Sequence, residues 1–226
     1  MEKRHHTTLA RTLIKVCFRR VLVGTLSLPF LLAASVMMPP FADTPQPLAY
    51  GVQPRPKELV KIYSIVKSNR PDISKGEAWE LTEVIHGECD KHNLDPMLVL
   101  ALIDVESKFQ YAAVSPAGAR GLMQILPYVG KSLLQEIGLE DEAGWKTFQP
   151  EFLDDPVLNI KLGVRYLKDM KKSFHDLTLA LTAYNLGPTE TKHRLNNDIE
   201  VSHRYATAVL STYHKYKESD QATSDV

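Results

Sequence analysis

Glu106 closes an apolar run, Leu98-Val-Leu-Ala-Leu-Ile103, and a Ser-Pro-Ala-Gly turn follows at residues 115–118. Gly121-Leu-Met-Gln-Ile125 comes next. A carboxylate on the apolar side of a helix end is disfavoured twice, by desolvation and by the negative end of the helix dipole. Both effects keep the proton on, which makes a glutamate a general acid near neutral pH. Helical spacing puts Glu106 on one face with Leu102 and Phe109 and turns Asp104 away, toward Lys108 at i+4. The two-carboxylate arrangement of most glycosidases is therefore not visible locally. The plain alternative for Glu106 is an exposed acid at a helix end.

Two neighbouring segments add to the reading. Ala119-Arg120-Gly121 keeps side chains small beside the turn containing Ser115 and Gly118, which lets a bulky polymer approach the backbone. Leu122-Met-Gln-Ile125 then offers an apolar wall with one amide. Ala183-Tyr-Asn185 ends another apolar stretch before Gly187-Pro188. Tyr184 could supply a ring for stacking and a hydroxyl for hydrogen bonding. Read singly, each segment is equally consistent with routine packing or capping.

The elements that must hold these residues read as helices. Apolar periodicity predicts helices over 58–68, 77–92 and 96–108, and over 122–137 with an interruption near Pro127. Further helices are predicted over 156–172, 177–186 and 202–217. Asp95-Pro96 and Asp155-Pro156 read as N-caps with proline at the first helical position. No stretch alternates with a period of two between turn signals, so the expected fold class is all-α.

The chain has 226 residues, 44% of them hydrophobic, enough for one domain with a core. Charge is uneven although the net is zero. Residues 1–20 carry six basic side chains against Glu2, and the remainder carries 21 basic against 26 acidic. An acidic body argues against nucleic acid as a partner. The basic start precedes an uncharged apolar run, Val21 to Met38, so residues 1–38 read as a signal peptide or an N-terminal anchor. Pro29 and the small residues Ala33-Ala34-Ser35 favour cleavage over spanning. Residues 39–56 are a Pro-rich linker, 57–216 the domain, and 217–226 a polar tail. Cys17 precedes the apolar run, which leaves Cys89 alone as a small apolar residue. His86-Gly-Glu88 lacks the P-C-x-x-C of a zinc deaminase, and there is no H-E-x-x-H. Neither metal nor cofactor is expected.

Together these segments resemble the soluble lytic transglycosylase (SLT) family of peptidoglycan-cleaving enzymes. Glu106-Ser107, Gly121-Leu-Met-Gln124 and Ala183-Tyr-Asn185 match three ordered motifs. The run from Asp155 through Asn159, Gly163 and Tyr166 matches an intervening helix, and Tyr205 falls where the family has a tyrosine in its last helix. The chain departs from the family pattern at Lys108, at Tyr128-Val129 and at Leu186. The resemblance, over roughly residues 75–217, implies a lysozyme-like helical domain with a groove for peptidoglycan strands. It implies Glu106 as sole acid and base, with Ser107, Ser115, Gly118, Met123, Gln124, Tyr184, Asn185 and Tyr205 holding the sugars. It implies cleavage between N-acetylmuramic acid and N-acetylglucosamine to give 1,6-anhydro ends. The expected place is the periplasm, either free or held at the inner membrane by the N-terminal segment. An envelope-spanning machine is a further expected partner. A goose-type-lysozyme-like hydrolase and a non-catalytic peptidoglycan-binding scaffold are the alternatives.

Overall fold

The structure is a computed structural model that describes residues 56–138 and 148–219. The proposed export segment and Cys17 lie outside the described residues, as do most of the linker and of the polar tail. Eight α-helices are described: α1 (Lys57–Asn69), α2 (Lys75–His92), α3 (Pro96–Ser107), α4 (Pro127–Ile137), α5 (Pro156–Phe174), α6 (Leu177–Leu186), α7 (Pro188–Asn196) and α8 (Arg204–Glu218). A short 3-10 turn covers Pro150–Asp154. Among the described residues the only β pairing is two isolated bridges, Val114 with Arg120 and Arg120 with Ile125. The expected all-α class holds.

The caps explain where the helices begin. Asp95 accepts a hydrogen bond from Met97 N–H, Asp155 from Leu158 N–H and Asp176 from Leu179 N–H. Ser74 does the same for α2 through Glu77 N–H. Each cap satisfies a donor the helix cannot, typically worth ~1 kcal/mol. Asn93 ends α2 in the left-handed region at φ 51°.

α3 is the centre of the domain. Pro96 through Ile103 are all buried, so its first two turns are apolar on every side. α1, α2 and α8 pack around it, and α5 joins α2 to α4 and α6. α8 is fastened to α3 by polar bonds as well. Tyr213 and Lys217 donate to Asp95 at 2.7 and 3.0 Å, and Tyr216 donates to Asp104 at 2.9 Å. Asp104 also accepts from Lys108 at 3.0 Å, the expected i+4 pair, yet its side chain is half-buried because α8 covers it. Cys89 is buried, and burial pushes its thiol up to about 12, in keeping with a packing role. No described helix is long and apolar enough to cross a membrane.

Two expectations fail. Residues 122–126 are not helical, and α4 starts only at Pro127. α7, absent from the predicted set, is a polar helix with only Thr191 buried, so no apolar stripe betrays it. It begins with Pro188 at its first position and carries an Arg194–Glu190 pair at 2.7 Å.

Candidate active site

Glu106 lies in the last turn of α3, and the chain reverses sharply behind it. Lys108 and Phe109 are both left-handed, at φ 52° and 61°, an unfavourable pair for non-glycine residues. Burial of the Phe109 ring holds the turn, together with a 2.8 Å hydrogen bond from Arg70 to the Phe109 carbonyl. The turn frees Glu106 to face a cavity of about 200 Å³ lined by Ser115, Ala117, Gln124, Tyr166, Tyr184 and Asn185 among others. Among the residues lining it, Glu106 carries the only formal charge at neutral pH.

The far wall is the irregular segment 113–126. Ser115 N–H donates to the Ala119 carbonyl, Gly118 N–H donates to the Ser115 carbonyl, and Arg120 and Ile125 exchange backbone hydrogen bonds. The Ser115 hydroxyl accepts a bond in return from Ala119 N–H. Gly121 sits at φ 80°, where an added Cβ would lie 2.1 Å from Asn159 Nδ2 and 2.2 Å from the Leu153 carbonyl. No other residue fits there. Asn159 is fully buried and ties the wall down. It accepts from Met123 N–H at 2.7 Å and donates to the carbonyls of Arg120 and Leu153 at 2.9 and 2.8 Å. Arg120 adds a bidentate pair with Asp154, at 3.0 and 2.6 Å.

The predicted site residues divide into two sets. Ser115, Gln124, Tyr184 and Asn185 line the cavity with Glu106. Ser107 and Met123 do not; they lie in its foundations. Ser107 is buried and donates to the Leu122 carbonyl at 2.8 Å, joining α3 to the wall. The Met123 side chain is fully buried against Gly163, whose missing Cβ leaves room for it. Gly118 shapes the turn at φ 79° without lining the cavity. Gln124, itself left-handed at φ 49°, donates its amide to the carbonyls of Ala113 and Gly121. The Tyr184 hydroxyl donates to the Met123 carbonyl at 2.8 Å, so its ring rather than its hydroxyl meets the cavity. In the sequence Asn159 and Tyr166 stand out only as part of a helix that matches the family; no local pattern marks a buried asparagine as the fastening of a loop 36 residues away.

Tyr205, from the first turn of α8, donates to Glu106 Oε1 at 2.5 Å. Burial pushes the Glu106 carboxyl up to about 7, and the Tyr205 bond only partly opposes it. Burial, with the Glu106 charge nearby, also holds the Tyr184 and Tyr205 hydroxyls well above the usual tyrosine range, so both remain donors. The arrangement offers one carboxyl whose raised proton affinity lets it hold a proton into the neutral range, one oxygen of which is held by Tyr205.

An all-α frame around one half-buried acid in an otherwise uncharged cleft is the lysozyme-like type. The profile of the transglycosylase SLT domain matches residues 83–206, and the chain belongs to that family. It is 31% identical over 151 residues to the membrane-bound lytic murein transglycosylase C of Photorhabdus laumondii, a match covering 62% of this chain and 40% of that protein. The chain thus aligns with about two fifths of that relative's length. An inactive variant of the lytic transglycosylase Slt from Pseudomonas aeruginosa superposes with a TM-score of 0.52 at 25% identity, over 62% of this chain and 24% of that one. The 70 kDa soluble lytic transglycosylase of Escherichia coli shares the fold, with a TM-score of 0.54 at 20% identity over 73% of this chain and 30% of that one.

Proposed function

We propose that this chain is a peptidoglycan lytic transglycosylase in which Glu106 serves first as acid and then as base. The protonated carboxyl gives its proton to the glycosidic oxygen between N-acetylmuramic acid and N-acetylglucosamine, and that C–O bond breaks. The substrate's N-acetyl group stabilises the cationic sugar centre in place of a second carboxylate. Glu106 then takes the proton of the sugar's C6 hydroxyl, whose oxygen closes the 1,6-anhydro ring. The proton lost in the first step is regained in the second, and no water is consumed. Tyr205 fixes Oε1, which leaves Oε2 to carry the travelling proton. Tyr184, Asn185, Gln124 and Ser115 hold the sugars, while Ser107, Met123 and Gly118 act indirectly by shaping the wall. Keeping water away from the cationic centre separates this outcome from hydrolysis.

The observation that carries the reading is the lone carboxyl, raised to about 7, in a cleft whose other lining residues are uncharged. A neutral lining suits a glycan better than a polyanion. Retention of that acid argues against a purely binding scaffold. The basic start and apolar run of residues 1–38, with the membrane-bound naming of relatives, support action in the cell envelope on wall glycan strands.

The test is digestion of purified sacculi followed by mass spectrometry of the products. Products one water lighter than hydrolysis products are expected from the full chain. Glu106→Gln is expected to lower cleavage by about 10³-fold or more while leaving glycan binding intact. Reducing-end products would replace the lyase reading with the goose-type-lysozyme-like hydrolase, and normal activity in Glu106→Gln would remove Glu106 from the mechanism.

A further inference from the structure

Beyond the cavity at Glu106 the cleft opens into a second one of about 520 Å³, between α4, α5 and the start of α7. The two cavities share one set of lining residues: Tyr128, Val129, Tyr166, Leu186 and Gly187. These residues form a neck. Tyr128, in the first turn of α4, is 71% exposed, and Leu186, the last residue of α6, is 38% exposed. They are thus large apolar side chains left open to solvent at the joint between two cavities. Tyr166 lies beneath, its ring 5.0 Å from that of Tyr184. Gly187, at φ 95°, adds no side chain.

No residue of the neck is charged. Its chemistry is one aromatic face, one aliphatic lip and an aromatic floor. A pyranose ring has apolar C–H faces and polar edges, and it stacks on an aromatic face with its hydroxyls turned to water. A charged peptide would find no partner there.

We propose that Tyr128 and Leu186 are a pair of lips that grip one hexosamine ring of the glycan at this neck, with Tyr128 as the stacking platform. The grip fixes the register of the strand, so that the bond to be broken is presented to Glu106 while the strand continues into the second cavity. The proposal rests on the glycan-cleaving reading above and names the residues that set its register. Neither side chain touches the reacting atoms, so both act in binding.

The test measures binding of a peptide-free β-1,4-linked N-acetylglucosamine/N-acetylmuramic acid oligosaccharide to full-length protein carrying Glu106→Gln, which prevents turnover. Adding Tyr128→Ala is expected to weaken binding roughly tenfold, Tyr128→Phe to stay within about twofold, and Leu186→Ala to fall between. In the otherwise unaltered enzyme, Tyr128→Ala is expected to raise KM roughly tenfold with kcat within about twofold. Melting temperatures should not move, because the Tyr128 ring is mostly in solvent. Unchanged binding and KM in Tyr128→Ala overturn the proposal, whatever the activity. Tyr128-dependent binding by a chain that cleaves no glycan leaves the lips standing and removes the lyase reading. No binding by the Glu106→Gln parent overturns both.

Discussion

α3 and the segment 108–126 lie on either side of the same carboxyl group. In α3, Pro96 through Ile103 are buried, and the helix is positioned by the apolar core around it. Along the reversal after α3 and the opposite wall it leads into, Lys108, Phe109, Gly118, Gly121 and Gln124 all have positive φ. Many of its backbone groups pair within the segment, and the carbonyls of Arg120 and Met123 and the Met123 N–H find partners far away in sequence, Asn159 and Tyr184. The helix therefore places the acid with generic packing, which many apolar side chains could supply. The wall desolvates the acid with particular bonds, which few substitutions preserve. The irregular half of the site is therefore the half with little tolerance.

The comparison can be broken first at Gly121. Gly121→Ala drives a Cβ into Asn159 and the Leu153 carbonyl at a positive φ, and is expected to destabilise by about 4 kcal/mol, read by chemical denaturation. Gly118 has a similar φ but open space around it, so Gly118→Ala should cost only about 1 kcal/mol, the conformational part alone. Equal losses at the two glycines would mean that the Asn159 fastening does not hold the wall.

Glu106→Gln sharpens the picture through stability. A carboxyl with a raised folded pKa keeps its proton longer when folded than when unfolded. Below about 4.5 both states are protonated and nothing is lost. As pH rises from there through about 7, stability falls, by up to about 3 kcal/mol, and then levels off. Glu106→Gln removes this decline, so it is expected to be the more stable protein at pH 8, less whatever the Tyr205 bond contributed. Denaturation curves at pH 5 and pH 8 for both proteins check it.

The smallest effect belongs to Lys108. Its pair with Asp104 has a mostly solvated lysine, so Lys108→Ala should change stability by only a few tenths of a kcal/mol. Lys108→Gly, in contrast, should gain about 1 kcal/mol by relieving the left-handed backbone, which denaturation would also read.

The two walls also differ in how far the sequence reveals them. The α3 side is readable: Asp95-Pro96 marks its start, the apolar run marks its burial, and helical spacing turns Glu106 away from Asp104. The other wall misleads. Leu122-Met-Gln-Ile125 has helical composition, but Gly121 wedged against Asn159, the Arg120–Ile125 pairing and the Tyr184 bond to the Met123 carbonyl take its backbone groups first. Asn159 and Tyr184 come from α5 and α6, beyond the reach of any local pattern. The same reason hides the roles of Ser107 and Met123, whose motifs stand out although their side chains point into the structure. Polar α7 escapes because helical periodicity is an apolar signal.

The two walls together withdraw one carboxyl from water and raise its affinity for a proton. Carbon-13 NMR titration of the Glu106 side-chain carboxyl, assigned by its loss in Glu106→Gln, tests this directly. A midpoint near 7 is the predicted result. A midpoint near 4.5, the value of a solvated glutamate, would contradict it.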